Sequence, residues 1–182
     1  MILKDFIKPI IVLAVICILI SGALAIVNNI TEPVITAAAL ERAYSARREI
    51  LPQADGFEAL DYETGMPRSI TEIFRSINDT GYLFMISTMA YGRDPMVIIC
   101  GIDPEGRIIR ASVLSHSETQ GLGTPVFEEA HAGQFWGKNR AGIEDIAAIS
   151  GATITSNAFK NAMRDALIAF EILRTQRSGE SE

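Results

Sequence analysis

Two patterns of apolar and polar positions succeed one another along the chain, and the change between them divides it. Residues 10–27 read IIVLAVICILISGALAIV, eighteen positions without a charge, with Ser21 as the one strong hydrogen-bonding side chain. At a helical rise of 1.5 Å such a run spans about 27 Å, near the hydrocarbon thickness of a bilayer. Pro9 stands at the first helical position, where its missing N–H costs nothing. The pattern predicts a transmembrane helix over 9–27, preceded by a short segment, 1–8. Thr31-Glu32-Pro33 then reads as a helix start, with Thr31 as N-cap and an acid and a proline in the first turn. It predicts a membrane-proximal helix within 28–52, joined to the first through a kink at Pro33 and stopped by Pro52.

From residue 53 the pattern shortens. Asp55-Gly56, Gly65 and Pro67 mark 53–68 as a loop. Strands are expected at 69–77, 82–91, 96–102 and 107–116, parted by the turns Asn78-Asp79-Thr80-Gly81, 92–95 and 103–106. Val97-Ile98-Ile99 is continuous and apolar, as in a central strand, whereas Ile109, Ala111 and Val113 alternate with polar neighbours. These segments predict an antiparallel meander. A short helix is expected from Thr124-Pro125, irregular chain over 133–142 around the single Trp136, and a last strand at 146–149. Phe159, Met163, Ala166, Leu167, Phe170 and Leu173 then follow the helical period from Ser156 on. The expected fold class is α+β, with a folded domain over 53–177 and a flexible tail at 178–182.

Charge narrows the function. The 182 residues hold 16 Lys and Arg against 22 Asp and Glu, a net charge of -6. Nucleic-acid binders are basic and carry a basic patch, so that class is set aside. Mean hydropathy is +0.23, an apolar excess that the N-terminal run accounts for. Lys4 and Lys8 precede that run, while Asn28, Asn29 and Glu32 follow it. The positive-inside rule then puts the N-terminus in the cytoplasm and the domain on the far side of the membrane. Without Lys4, Asp5 and Lys8 there remain 14 basic and 21 acidic residues, so the outer part carries -7. Ala23-Leu24-Ala25 also fits a signal-peptidase site, but the apolar run exceeds the length of an ordinary signal core and continues past it. Cys17 lies in the anchor and Cys100 in the domain, each read as a small buried hydrophobe. With two cysteines and two histidines, His116 and His131, no metal-ligand spacing is present.

Two segments carry candidate chemistry. Residues 150–155 read SGATIT. A glycine among small hydroxylated residues, leading into a helix, lets backbone approach a phosphate and offers it hydroxyls, free N–H groups and a positive dipole end. It is neither a Walker loop nor G-x-G-x-x-G. An ordinary strand-to-helix turn capped by Thr155 or Ser156 would read the same way. Residues 118–124 read ETQGLGT, in which two glycines around Leu122 allow the chain to pass close to a flat ligand. No general acid–base pair and no nucleophile stands out.

Taken together, the two segments make the chain resemble the G subunits of Rnf ion-translocating electron-transport complexes. These share an FMN-binding domain with the C subunits of sodium-pumping NADH:quinone reductases. The matching pieces are the N-terminal anchor with 28–33, Gly81-Tyr82, Gly101-Ile102-Asp103 with Gly106, residues 116–123, Phe135-Trp136 and SGATITS at 150–156. The resemblance implies FMN esterified through its phosphate to Thr153 by a flavin transferase. Ser150, Gly151, Ala152, Thr155 and Ser156 would surround the phosphate, and Leu122, Gly123 and Thr124 would line the isoalloxazine. Glu118 and Thr119 would position the loop or the ring. It further implies a non-autonomous redox subunit, relaying electrons beside membrane and iron–sulfur subunits of a complex that couples ferredoxin:NAD exchange to Na⁺ or H⁺ movement.

The chain departs from that pattern in three places. Gln120 stands where the loop usually has proline. Ala147 stands where the modification signal usually has aspartate, the nearest acid being Asp145. Tyr91-Gly92-Arg93-Asp94 replaces a frequent Gly-Gly pair. Two other readings remain: the same flavin domain in the C subunits of quinone reductases, or a membrane-anchored sensory module that binds flavin without a covalent bond.

Overall fold

The computed structural model describes residues 2–61 and 65–179, and side chains over 9–61 and 65–177. It divides into two units, one ending at Glu41 and one beginning at Arg42. In the first, α1 (Ile2–Ile50) runs through both Pro9 and Pro33 without a break. Thr31 is therefore no N-cap. It lies inside the helix, and its hydroxyl donates to the Val27 carbonyl at 2.7 Å. Ile18, Leu24 and Ile30 are 69, 67 and 67% exposed, and the apolar surface continues around the helix. Among the described residues α1 is the one helix long and apolar enough to cross a membrane.

The second unit is built on one antiparallel sheet. β1 (Phe57–Leu60), β2 (Ile70–Ser76), β3 (Tyr82–Thr88), β4 (Met96–Ile102) and β5 (Ile108–Ser115) lie in the order β1-β2-β3-β4-β5. Each pairs with its neighbour in sequence, which is the expected meander. Side chains alternate across the sheet as the period-two pattern requires. Tyr82, Phe84, Ile86, Ile98, Cys100 and Ile102 pack beneath α3 (Thr153–Gly179), which supplies Phe159, Met163, Leu167 and Phe170. On the other face Leu83, Ile99 and Phe74 meet Ala46, Ile50 and Leu51 from the end of α1. Gly101 permits that approach, since a Cβ there would stand 2.2 Å from Ile50 Cγ2. Covered on both faces, β3 and β4 form the buried centre, and the continuous Val97-Ile98-Ile99 run follows from that.

Four expectations change. Phe57–Leu60, expected as loop, forms an edge strand whose Leu60 sits opposite Ile73. The 146–149 stretch is not a strand. Lys160 Nζ donates to the carbonyls of Glu144 and, at 3.1 Å, of Ile146, and the Ile149 N–H donates to Ser156 Oγ at 3.1 Å. Side chains of α3 thus satisfy backbone groups that a ladder would otherwise take. The final helix begins at Thr153 rather than Ser156 and continues to Gly179, into the expected tail; residues 180–182 lie outside the described ones. The helix expected at Thr124-Pro125 is a 3₁₀ turn, Thr124–Phe127, followed by the one-turn α2 (Glu129–Ala132) and a second 3₁₀ turn, Gly133–Phe135.

Candidate functional site

Where β5 ends, the chain turns across the start of α3, and the two segments enclose a cleft of about 320 Å³. The helix wall is the turn 150–155. Gly151 has φ +85°, in the left-handed region, where a side chain would be strained. This reversal aims the chain into α3, and the Ser156 N–H makes the first helical bond, to the Ala152 carbonyl, at 2.9 Å. Ala152 is thus the capping position and has no side-chain oxygen to offer. Helix geometry leaves the amides of Thr153, Ile154 and Thr155 without an intrahelical carbonyl, at the positive end of a 27-residue helix. Thr153 stands exposed at this point.

Thr155 and Ser156 face inward, 2 and 3% exposed. Neither hydroxyl caps the helix. Thr155 Oγ1 donates to Glu118 Oε2 at 2.7 Å, and Ser156 Oγ accepts the Ile149 N–H. Lys160 and a fork from Arg164 to Glu144, at 2.9 and 2.8 Å, hold the preceding segment against the helix. Arg164 keeps the Glu144 carboxyl below its ordinary pKa, chiefly through that hydrogen bond. The turn bearing Thr153 is pinned from both sides.

The loop wall is 118–123. Its tightness depends on Gly123, whose missing Cβ would lie 2.4 Å from Glu118 Oε2. The Leu122 and Gly123 N–H groups both donate to the Thr119 carbonyl, and the Gly121 N–H donates to Thr124 Oγ1 at 2.9 Å. His116 Nδ1 accepts the Glu118 N–H at 3.2 Å while its ring rests 5.0 Å from that of Phe127. The histidine therefore braces the loop. Leu122 is 50% exposed and stands over the cleft, with its Cδ1 3.8 Å from the position a Gly151 Cβ would take.

Of the residues singled out in the sequence, Glu118, Thr119, Leu122 and Gly123 line the cleft from the loop side. Gly151, Ala152, Thr153 and Thr155 line it from the helix side. Ser150, Thr124 and Ser156 do not reach it; the last two serve the turns just described. Tyr91 and Ile154, to which the sequence assigned no site role, also line it. Ile154, 57% exposed beside Thr153, breaks the apolar stripe of α3, and that misplaced hydrophobe was the available signal. Tyr91, 67% exposed in the β3–β4 turn, arrives only through tertiary folding.

These features fit a phosphorylated, planar apolar group. A hydroxyl and the first-turn amides could meet a phosphate, and Leu122, Ile154 and Tyr91 offer apolar surface to a ring. Among the described residues no group of His, Cys, Asp and Glu could hold a metal ion.

Comparison with known proteins agrees with that chemistry. Residues 92–168 match the FMN-binding domain family. The chain is 36% identical over 121 residues to the G subunit of an ion-translocating oxidoreductase complex from Stutzerimonas stutzeri, covering 60% of this chain and 51% of that protein. It thus spans about half the length of that relative. It is 24% identical over 164 residues to the G subunit of a proton-translocating ferredoxin:NAD(+) oxidoreductase complex from Clostridium ljungdahlii, 85% of this chain and 86% of that one. To the Na(+)-translocating counterpart from Acetobacterium woodii it is 26% identical over 175 residues, 83 and 84% of the two chains.

Proposed function

We propose that this chain is a member of the FMN-binding G-subunit family and the flavin-carrying electron relay of an ion-translocating membrane complex, with FMN esterified to Thr153. The observation that carries the site is the exposed Thr153, at an uncapped helix start and lining a cleft with apolar walls. Bound there, FMN supplies the capacity to accept electrons and pass them on. The chain's own residues do the rest. Thr153 would contribute its hydroxyl oxygen to the phosphodiester: as a flavin transferase moves FMN from a flavin dinucleotide, the new bond from the Thr153 oxygen to phosphorus would replace the pyrophosphate P–O bond, the nucleoside monophosphate leaving as Thr153 gives up its proton. The first-turn amides of α3 meet the remaining phosphate charge. Leu122, Ile154 and Tyr91, which line the cleft, would cover part of the ring.

The remaining parts of the reading follow the anchor and the relatives. α1 crosses the membrane with Lys4 and Lys8 on the cytoplasmic side, leaving the flavin domain outside. Other membrane and iron–sulfur subunits of the same complex exchange electrons with it, in a ferredoxin:NAD reaction coupled to ion movement. Relatives named for protons and for Na⁺ are similar to this chain to nearly the same degree, 24 and 26% identical.

Co-expressed with a flavin transferase, the wild-type chain is expected to give a flavin-fluorescent band on a denaturing gel, and Thr153→Ala is expected to abolish it. Fluorescence that persists in the variant, or is absent from the wild type, overturns the assignment.

A further inference from the structure

Glu118 does more at this site than line it. Its Oε1 accepts the Gly92 N–H from the β3–β4 turn at 2.7 Å, and its Oε2 accepts the Thr155 hydroxyl at 2.7 Å. Its own N–H is held by His116, and the neighbouring Ser117 Oγ accepts the Asp94 N–H at 2.8 Å. One side chain thereby joins three segments that are far apart in sequence: the turn carrying Tyr91, the loop carrying Leu122 and the first helical turn carrying Thr153. All three contribute to the cleft. Both carboxylate oxygens serve as acceptors, and among the described residues no ion pair engages them.

We infer that Glu118 is the positioning residue of the flavin site, and that its uncompensated charge holds the flavin's reduction potential low. The inference rests on FMN occupying this cleft. Two-electron reduction with uptake of one proton adds one negative charge to the ring. A fixed carboxylate in the same half-enclosed cleft opposes that charge, more strongly than it would in open water. The same carboxylate sets the geometry, because losing it frees the β3–β4 turn from the loop and leaves the buried Thr155 hydroxyl without its acceptor.

The test uses the full chain co-expressed with a flavin transferase and titrated with dithionite against redox mediators. Glu118→Gln keeps an oxygen for the Gly92 N–H and an NH₂ that Thr155 can accept, while removing the charge. It is expected to be modified normally and to favour the reduced flavin at least tenfold more, about 30 mV upward for a two-electron couple. Glu118→Ala is expected to be modified poorly and, in a Thr153→Ala background that needs no flavin, to melt at a lower temperature than that background alone. A Glu118→Gln potential equal to or below wild type overturns the electrostatic role. Wild-type modification and melting in Glu118→Ala overturn the positioning role. A wild-type chain without ester-linked flavin overturns the FMN assignment itself, and the melting comparison still decides whether Glu118 ties the three segments.

Discussion

The two walls of the cleft are built by different means. The helix wall is the first turn of α3, whose apolar stripe is buried along the sheet, with Phe159 and Met163 at 1 and 0% exposure. Its shape follows from helix geometry and core packing, reinforced by Lys160, Arg164 and Ser156. The loop wall has no regular structure. It holds its course through hydrogen bonds from individual side chains and through the close approach of Gly123 to Glu118. The difference suits the roles proposed for them. A hydroxyl that must accept a phosphate needs a fixed, exposed position, which a helix start provides. A surface that closes over a ring needs to fit its shape, which a loop shaped by one or two contacts can do.

That contrast predicts unequal sensitivity to mutation. The largest effect is expected beneath the helix wall. Met163→Ala opens a void in the fully buried core and is expected to destabilise the domain by about 2–5 kcal/mol, measured by urea unfolding. Loss below about 1 kcal/mol would mean that the helix wall does not depend on this packing. Gly123→Ala comes next. Its methyl group would press on Glu118, and overpacking of this kind costs about 1–3 kcal/mol. The loop should yield first, so flavin incorporation is expected to fall further than the unfolding midpoint. An equal fall in both would erase the distinction between the walls.

The smallest effect concerns pH. His131, in α2 beyond the loop wall, is 6% exposed, with a buried Nε2 that no described group bonds. Burial lowers its pKa below the ordinary imidazole value. In the unfolded chain the ring binds its proton at about pH 6.5, and in the folded one only at lower pH. Between those values the unfolded state holds more protons, so stability falls as pH is lowered through about 6.5 and levels off below the folded value. His131→Gln is expected to flatten that part of the profile. A slope that survives the substitution assigns the effect to another group.

Much of this arrangement could be read in the sequence, and the exceptions have local causes. β2 to β5 announce themselves by the turns between them, with period two in the half-covered β5 and a continuous apolar run in β4, which is covered on both faces. The segments 118–124 and 150–155 declared themselves by glycine spacing, since close backbone approach excludes most other residues. β1 did not: Phe57–Leu60 is four residues long at a sheet edge, and only its pairing with β2 makes it a strand. The apolar stretch 146–149 misled in the opposite direction, because Lys160 and Ser156, several residues downstream, take the backbone bonds that define a strand. Thr155 and Ser156 look like free phosphate donors in a linear motif. Their burial, and the partners they take up inside the fold, follow from the packing of α3 against the loop.

The central claim is that Thr153 bears the flavin, and intact mass of the purified chain, followed by peptide mapping, tests it most directly. After co-expression with a flavin transferase, a gain of one esterified FMN located on Thr153 is predicted. An unmodified mass, or a flavin mapped to any residue other than Thr153, would contradict it.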